Sequence, residues 1–179
     1  MLSEMDFHCE LKPPPLFPER STNQKIPNQI KRRQKRFENG QSYHSDHTPF
    51  VQGEDLYGFD FTGMRFQRVF FDSSDLGLAT FDKCVGSPVA FYDCSMNNAK
   101  FTNCQLTDWS FFNSSLIRAS FSGIFKNAQF FSCYLNYADL TGAKFINCEF
   151  ANTEFTGAKL SLDPADWAGS RLPSGVTVG

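Results

Sequence analysis

The chain has 179 residues, enough for one ordinary domain with a tail, and its formal net charge of -2 excludes the strong basic excess typical of a nucleic-acid-binding protein. No apolar run approaches the roughly 18 residues of a membrane-spanning helix. The first 20 residues lack the basic start and apolar centre of a secretory signal. We therefore expect a cytoplasmic protein without a membrane span, and its 21 phenylalanines predict a large aromatic core.

Residues 1–50 show no regular apolar spacing. They contain PPPLFP at 13–18, which is typical of a polyproline-like segment, and a basic run at 31–36. We expect this leader to be disordered, with charge that only aids solubility. The alternative is that the basic run contacts nucleic acid, an acidic protein or a membrane, or acts as a nuclear address. Its basic residues are Lys31, Arg32, Arg33, Lys35 and Arg36.

A spacing of five residues follows the leader and dominates the sequence. From Leu56 to Leu160, 22 positions keep this spacing with one four-residue step, and all except Gly86 are Phe, Leu or Met. Neither the 3.6-residue repeat of a helix nor the two-residue repeat of a strand explains it. The residue two before each large one is mostly small, and the residue two after it is mostly a turn former. Each unit is therefore predicted to be a short extended piece, with its small and large side chains inward, followed by a corner.

Two irregularities predict local distortions. Gly86 removes one core side chain beside Pro88, which cannot donate to a strand ladder, and the four-residue step from Phe121 to Phe125 tightens one corner. After Pro164 we expect a cap or partial extra coil, because an open solenoid end exposes backbone groups. Its inward residues are predicted to be Leu162, Trp167 and Leu172, which again lie five apart.

Units such as ADLTG (138–142), AKFIN (143–147) and CEFAN (148–152) resemble the pentapeptide-repeat family, with its A-(D/N)-L-x-x consensus. The resemblance covers roughly residues 52–162. It implies an all-β fold, a right-handed quadrilateral β-helix with four repeats per coil. The solenoid would have about 5.5 coils and a length of about 26 Å, at about 4.8 Å per coil. We assign residues 1–50 to the disordered leader, 51–162 to the β-helix (the rod) and 163–179 to the cap.

The residues point to no enzyme, cofactor or metal site. Five of the six cysteines occupy the small inward position, which is typical of buried free thiols in a reducing cytoplasm. The three histidines, His8, His44 and His47, all lie in the leader. The rod therefore has no nucleophile–His–acid set, and HSDH at 44–47 lacks a third metal ligand.

Outward aromatic residues are the main candidate for function. After grouping the units by fours, two neighbouring sides of the coil carry outward apolar residues on consecutive coils, which is typical of a contact site. The alternative is that the leader, the tail or a twin subunit of a homodimer covers them. The candidates are Tyr92, Phe112 and Phe131 with Phe70 nearby on one side, and Ile117, Tyr134 and Tyr137 on the next.

Two classes of function follow. The first is a rigid interaction scaffold or regulator that binds a protein partner through the aromatic residues. The resemblance to the family implies this role, because some of its members are cytoplasmic regulators or secreted effectors. The resemblance also implies the alternative, a DNA mimic that binds and protects a type II topoisomerase such as gyrase. Residues 51–160 carry 11 acids and 8 bases, interspersed along the rod, whereas about 26 Å of B-DNA carries about 15 charges. We therefore rank the scaffold first and expect no direct nucleic-acid binding by the rod.

Overall fold

The structure, a computed structural model, describes residue 28 and residues 50–176. The predicted disorder of the leader and the role of its basic run therefore lie outside the described residues. From Phe50 onward the chain is a parallel β-solenoid with almost no helix. The prediction of an all-β solenoid built from five-residue units is confirmed, while its right-handed sense stays a prediction.

Short strands and one 3-10 helix make up the regular structure of the described residues. The odd-numbered strands form a six-stranded parallel sheet in the order β1-β3-β5-β7-β9-β11, and the even-numbered strands form a five-stranded parallel sheet. The elements are β1 (Phe50–Gln52), β2 (Arg65–Phe66), β3 (Val69–Asp72), β4 (Val85–Gly86), β5 (Val89–Tyr92), β6 (Lys100–Thr107), β7 (Trp109–Phe112), β8 (Ser120–Lys126), β9 (Gln129–Phe131), β10 (Asp139–Ile146), β11 (Glu149–Ala151) and the 3-10 helix Pro164–Trp167.

Four five-residue units make one turn of the solenoid. Phe71 pairs with Phe91, and Phe91 pairs with Phe111, so each turn takes 20 residues. The six-stranded sheet is side 1 of the coil. Side 2 follows it in the chain and is marked by single bridges such as Asp75↔Ser95. The long strands β6, β8 and β10 run along side 3 and then side 4, so the coil has four sides and about five turns.

The core is a set of ring columns parallel to the solenoid axis. The large inward residues from Leu56 to Phe150 are buried, apart from Gly86, while Phe155 and Leu160 in the last turn are partly buried. Phe71 and Phe91 stack with ring centroids 4.9 Å apart, and Phe91 and Phe111 stack at 5.1 Å. A single turn could not bury these rings, so the turns stabilise one another by stacking.

The corners explain why turn formers follow each large residue. In most units the residue two positions after the large one has left-handed backbone, with φ of 59° at Asn98 and 48° at Asn113. Asn, Asp and Gly adopt this conformation at lower cost than other residues. The predicted alternation of a short extended piece and a corner is therefore the observed backbone.

The irregularity at Gly86 is filled by a residue that the repeat pattern did not single out. Trp109 occupies a normally small inward position, yet its side chain is fully buried and its ring lies 5.4 Å from that of Phe66. The indole N–H donates to the Gly86 carbonyl at 3.2 Å. A Cβ at Gly86 would lie 1.9 Å from the Phe66 carbonyl oxygen, so the small residue and the large one complement each other.

The four-residue step also appears as a local distortion. Strand β8 crosses the corner between sides 3 and 4, as β6 and β10 do, but it is one residue shorter, and its pairing with β6 shifts register between Phe101 and Cys104. Gly123 lies opposite Cys104 with φ of 99°, and a Cβ there would lie 2.2 Å from the Cys104 carbonyl oxygen. Glycine is required at this step because the neighbouring coil approaches the backbone itself.

The C-terminal residues cover part of the last turn. Trp167 is buried and stacks on Phe145 at 5.0 Å, and Leu172 packs against the core. The Arg171 backbone continues side 1, because its amide donates to the Cys148 carbonyl at 2.8 Å. The prediction for Leu162 is wrong: this side chain is 76% exposed, because it precedes the 3-10 helix that brings Trp167 inward.

Candidate functional site

The described cysteines lie in the core, and no cluster of metal-ligating side chains accompanies them. Among residues 50–176, no group of three or more His, Cys, Asp or Glu side chains is placed to hold a metal ion. The predicted HSDH segment lies outside the described residues. The rod cysteines are free and buried, and burial raises the pKa of Cys104 to about 12 and that of Cys133 to about 11. These thiols are protonated at neutral pH and pack as small core residues.

No helix among the described residues is long and apolar enough to cross a membrane. What the molecule presents instead is four sheet-like sides whose backbone groups bond to the turns above and below. Strand pairing also fixes the positions of the outward side chains.

Three outward rings form a regular row on side 1. We call this row the aromatic stripe and define it as Tyr92, Phe112 and Phe131. Tyr92 pairs with Phe112 and Phe112 pairs with Phe131 in the parallel sheet. The rings of Tyr92 and Phe112 stack at 5.0 Å with an interplanar angle of 6°, and those of Phe112 and Phe131 stack at 5.5 Å and 3°. Strand register thus places three parallel rings in one row without any ligand.

The exposure of these rings follows from the stacking. Tyr92, at the start of the row, is 38% exposed, and Phe112 and Phe131 are half-buried because neighbouring rings cover their faces. Their outer edges remain open to solvent. The stripe is a rigid apolar ridge and not a pocket.

Phe70 lies in the neighbouring outward column of the same sheet. It is half-buried and pairs with Phe50 on β1 and with Ala90 on β5. Phe50 is 58% exposed and was missed by the sequence analysis. The signal was present, because Val51 lies five residues before Leu56 and is buried like the other inward residues.

The side 2 candidates occupy a separate surface beyond the corner at Ser132. Tyr134 is 48% exposed, Tyr137 is 59% exposed and Ile117 is half-buried. Tyr137 has left-handed backbone with φ of 60°, which is costly for a bulky residue. Its ring lies over Gly157, where a Cβ would be 2.6 Å from it, and the Arg118 guanidinium is 5.8 Å from its centroid.

Charge is partly sorted by side, which corrects the expectation of interspersed charges. At the outward strand positions of side 2 the described residues include acids but no base, and at those of side 4 they include bases but no acid. The strands of side 1 carry the acids Asp72 and Glu149, and its only base among the described residues is Arg171, which pairs with Glu149 at the C-terminal end. Asp72 precedes Tyr92 in the same column. The acids of side 2 are Asp55, Asp75 and Glu154, and the bases of side 4 are Arg65, Lys126 and Lys144.

Side 3 shows how outward acids are held. Thr102 donates to the Asp82 carboxylate at 2.7 Å and Asn103 at 3.0 Å, and these hydrogen bonds lower the pKa of Asp82. Hydrogen bonds from Thr141 likewise lower the pKa of Asp139. Both groups are ionised at neutral pH and link neighbouring residues of a solvated side.

Comparisons with known proteins agree with the repeat pattern. Residues 124–161 match the model of pentapeptide repeats in eight copies. A trypsin-treated form of QnrB1, described as a plasmid-mediated fluoroquinolone resistance protein, is 16% identical; the match covers 64% of this chain and 69% of that one, with a TM-score of 0.31. No curated protein matches the chain.

Two cyanobacterial pentapeptide repeat proteins are also similar. HetL from Nostoc, involved in heterocyst differentiation regulation, is 13% identical over 82% of this chain and 98% of that one, with a TM-score of 0.28. Rfr23 from Cyanothece is 13% identical over 73% of this chain and 85% of that one, with a TM-score of 0.21. At these TM-scores the likeness carries no argument about function.

Proposed function

Since this chain is a pentapeptide-repeat protein, we propose that it is a non-enzymatic, rigid interaction scaffold or regulator that binds a protein partner through the aromatic stripe on side 1. The observation that carries the proposal is the stacking of Tyr92, Phe112 and Phe131 on consecutive turns at 5.0 and 5.5 Å. Soluble proteins seldom keep contiguous outward apolar patches without a contact to make.

The rigidity of the stripe favours binding. Each ring is fixed by its neighbour and by a strand that pairs on both sides, as Phe112 is between Tyr92 and Phe131. The side chains of the stripe would therefore lose little conformational entropy when a partner binds. Aromatic residues of this kind are the commonest anchors of protein interfaces, because they offer large contact area with few rotatable bonds.

The cysteines and the chain boundaries complete the proposal. The buried rod thiols are all free, which supports a reducing compartment, and we propose that the protein resides in the cytoplasm.

We also propose that the leader, the rod and the cap are separate regions at the boundaries given above, although β1 already begins at Phe50. No cofactor or metal enters the proposed function.

The second candidate, a DNA mimic that protects gyrase, has one observation in its favour: side 2 carries acids without bases at its outward strand positions. Its three carboxylates are far fewer than the roughly 15 charges on about 26 Å of B-DNA. Side 4 also carries three bases, so the field around the rod differs from that of DNA. In a low-salt supercoiling assay, micromolar protein should not protect gyrase against a quinolone; protection would promote this candidate to first place.

The proposal is tested by affinity capture from cells. The full chain and a Tyr92→Ala/Phe112→Ala/Phe131→Ala variant are used as baits, with Tyr134→Ala/Tyr137→Ala as the matched control from side 2. We expect a specific partner to be lost with the stripe variant and retained with the control. Identical captures by all three baits would contradict binding through the stripe.

A further inference from the structure

We propose that the aromatic stripe docks the proline-rich segment of its own chain, residues 13–18 (PPPLFP), which lie outside the described residues. The inference rests on the proposed function, since it takes the stripe to be a binding surface. In addition, it identifies residues 13–18 as the segment that a protein partner must displace from the stripe.

The spacing of the stripe matches that of a polyproline helix. Such a helix repeats every three residues and rises about 3.1 Å per residue, so residues three apart lie on one face about 9.3 Å from each other. Pro15 and Pro18 in this segment have that separation in sequence. Tyr92 and Phe131 lie two turns apart, linked by centroid steps of 5.0 and 5.5 Å through Phe112. Two prolines would thus meet rings on alternate turns of the rod.

The chemistry of the two surfaces also fits. Proline has no backbone N–H, and a polyproline helix keeps its backbone in water, so it needs no hydrogen-bond partners from the surface that receives it. Side 1 offers few free backbone hydrogen-bonding groups, because its strands pair with one another along the whole stripe. Aromatic-lined surfaces are a recurring receptor for proline-rich segments for this reason.

The connection is long enough for docking within one chain. Thirty-one residues separate Pro18 from Phe50, and even at the helical rise of about 1.5 Å per residue they would span about 46 Å. Phe50 lies on β1, the edge strand of the sheet that bears the stripe. Phe131 is four turns further along, at a distance of about 19 Å. The chain therefore enters the rod on the correct side and within reach.

Charge favours the same side. The connection contains the basic run at 31–36. From Phe50 to Ala151 the outward strand positions of side 1 carry acids and no bases, as do those of side 2, and Arg171 is the one base at the C-terminal end of side 1. Of the corner residues, Asp93 lies next to Tyr92 and Arg118 lies beyond Ile117 on side 2. Side 4 carries bases at its outward strand positions, so it repels the same segment. The basic run would be attracted to the flank of the stripe while the prolines contact the rings.

Hydroxyl-radical footprinting of the full chain, read by mass spectrometry, tests the docking. The variant is Pro15→Ala/Pro18→Ala, and Pro27→Ala is the matched control from the same leader. With an effective concentration of about 1 mM and a Kd of about 0.3 mM, about three quarters of the chains are docked, so release should raise oxidation of the stripe about fourfold. Oxidation of Tyr134 and Tyr137 on side 2 should stay unchanged and provides the internal reference.

Unchanged oxidation of Tyr92, Phe112 and Phe131 in the double variant would overturn the proposal. An equal rise with Pro27→Ala would also overturn it, since the effect would not belong to the PPPLFP segment. Protection that disappears on dilution would assign the contact to a second copy and overturn docking within one chain. Failure of the proposed function is distinguishable, because it appears as identical partner capture by wild type and the triple alanine variant and leaves the footprint untouched.

Discussion

Replacing Phe101 by alanine should remove the middle of a continuous ring column. Phe101 is fully buried and stacks between Phe81 at 4.7 Å and Phe121 at 5.0 Å, with the edge of Phe111 5.8 Å away. The turns above and below are held by backbone hydrogen bonds, such as that from the Phe81 amide to the Lys100 carbonyl at 2.6 Å, so the site cannot collapse onto the cavity. We expect a loss of about 3–5 kcal/mol in the free energy of unfolding.

Urea unfolding followed by tryptophan fluorescence measures this loss, because Trp109 is buried with its ring 6.4 Å from that of Phe101. The matched control is Thr102→Ala, whose side chain points outward and donates one hydrogen bond to Asp82 at 2.7 Å. That substitution should cost no more than about 1 kcal/mol. Equal losses for the two variants would refute the inward register on which the fold rests.

Two further predictions concern the four-residue step at Gly123 and the buried thiols. Gly123→Ala should cost more than about 3 kcal/mol, because φ is 99° and the new Cβ would lie 2.2 Å from the Cys104 carbonyl oxygen; Gly63→Ala, with φ of 69° and open space, should cost about 1 kcal/mol. Stability should fall as pH rises from 9 to 11, because burial raises the pKa of thiols such as Cys133 from 9.0 to about 11. The folded state then holds protons that the unfolded state releases, at about 1.4 kcal/mol per pH unit and thiol.

The controls for these predictions use the same urea assay. Similar losses for Gly123→Ala and Gly63→Ala would show that close approach of the neighbouring coil is not what demands glycine at the four-residue step. For the thiols, Cys133→Ala should show a smaller loss of stability between pH 9 and 11 than wild type. Stability that is constant or increases over this range would contradict burial as the cause.

The repeat register could be predicted because it is a property of sequence spacing alone. A large residue at every fifth position has one phase in which all such residues share a core, and Leu56 to Phe150 follow it. The complementarity of Gly86 and Trp109 could not be predicted in this way. The two residues are 23 apart, and only the turn geometry brings the indole into the space beside Phe66.

The arrangement of the outward side chains could be predicted less completely than that of the core. Grouping the units by fours brought Tyr92, Phe112 and Phe131 together, because outward columns repeat every 20 or 19 residues. Sequence spacing could not show that the rings are parallel, since this depends on side-chain torsions. The exposure of Leu162 was missed because a 3-10 helix, capped by Asp163, interrupts the five-residue spacing before Trp167.

The central claim, that the aromatic stripe is the binding surface, is tested most directly by the affinity of the purified partner for alanine variants of the full chain. Isothermal titration should show that Phe112→Ala, at the centre of the stripe, raises the Kd at least about 30-fold, corresponding to a hot-spot loss of about 2 kcal/mol or more. Tyr134→Ala, on the neighbouring side, should change the Kd less than about threefold. An unchanged Kd for Phe112→Ala together with a large loss for Tyr134→Ala would contradict the account and move the binding surface to side 2.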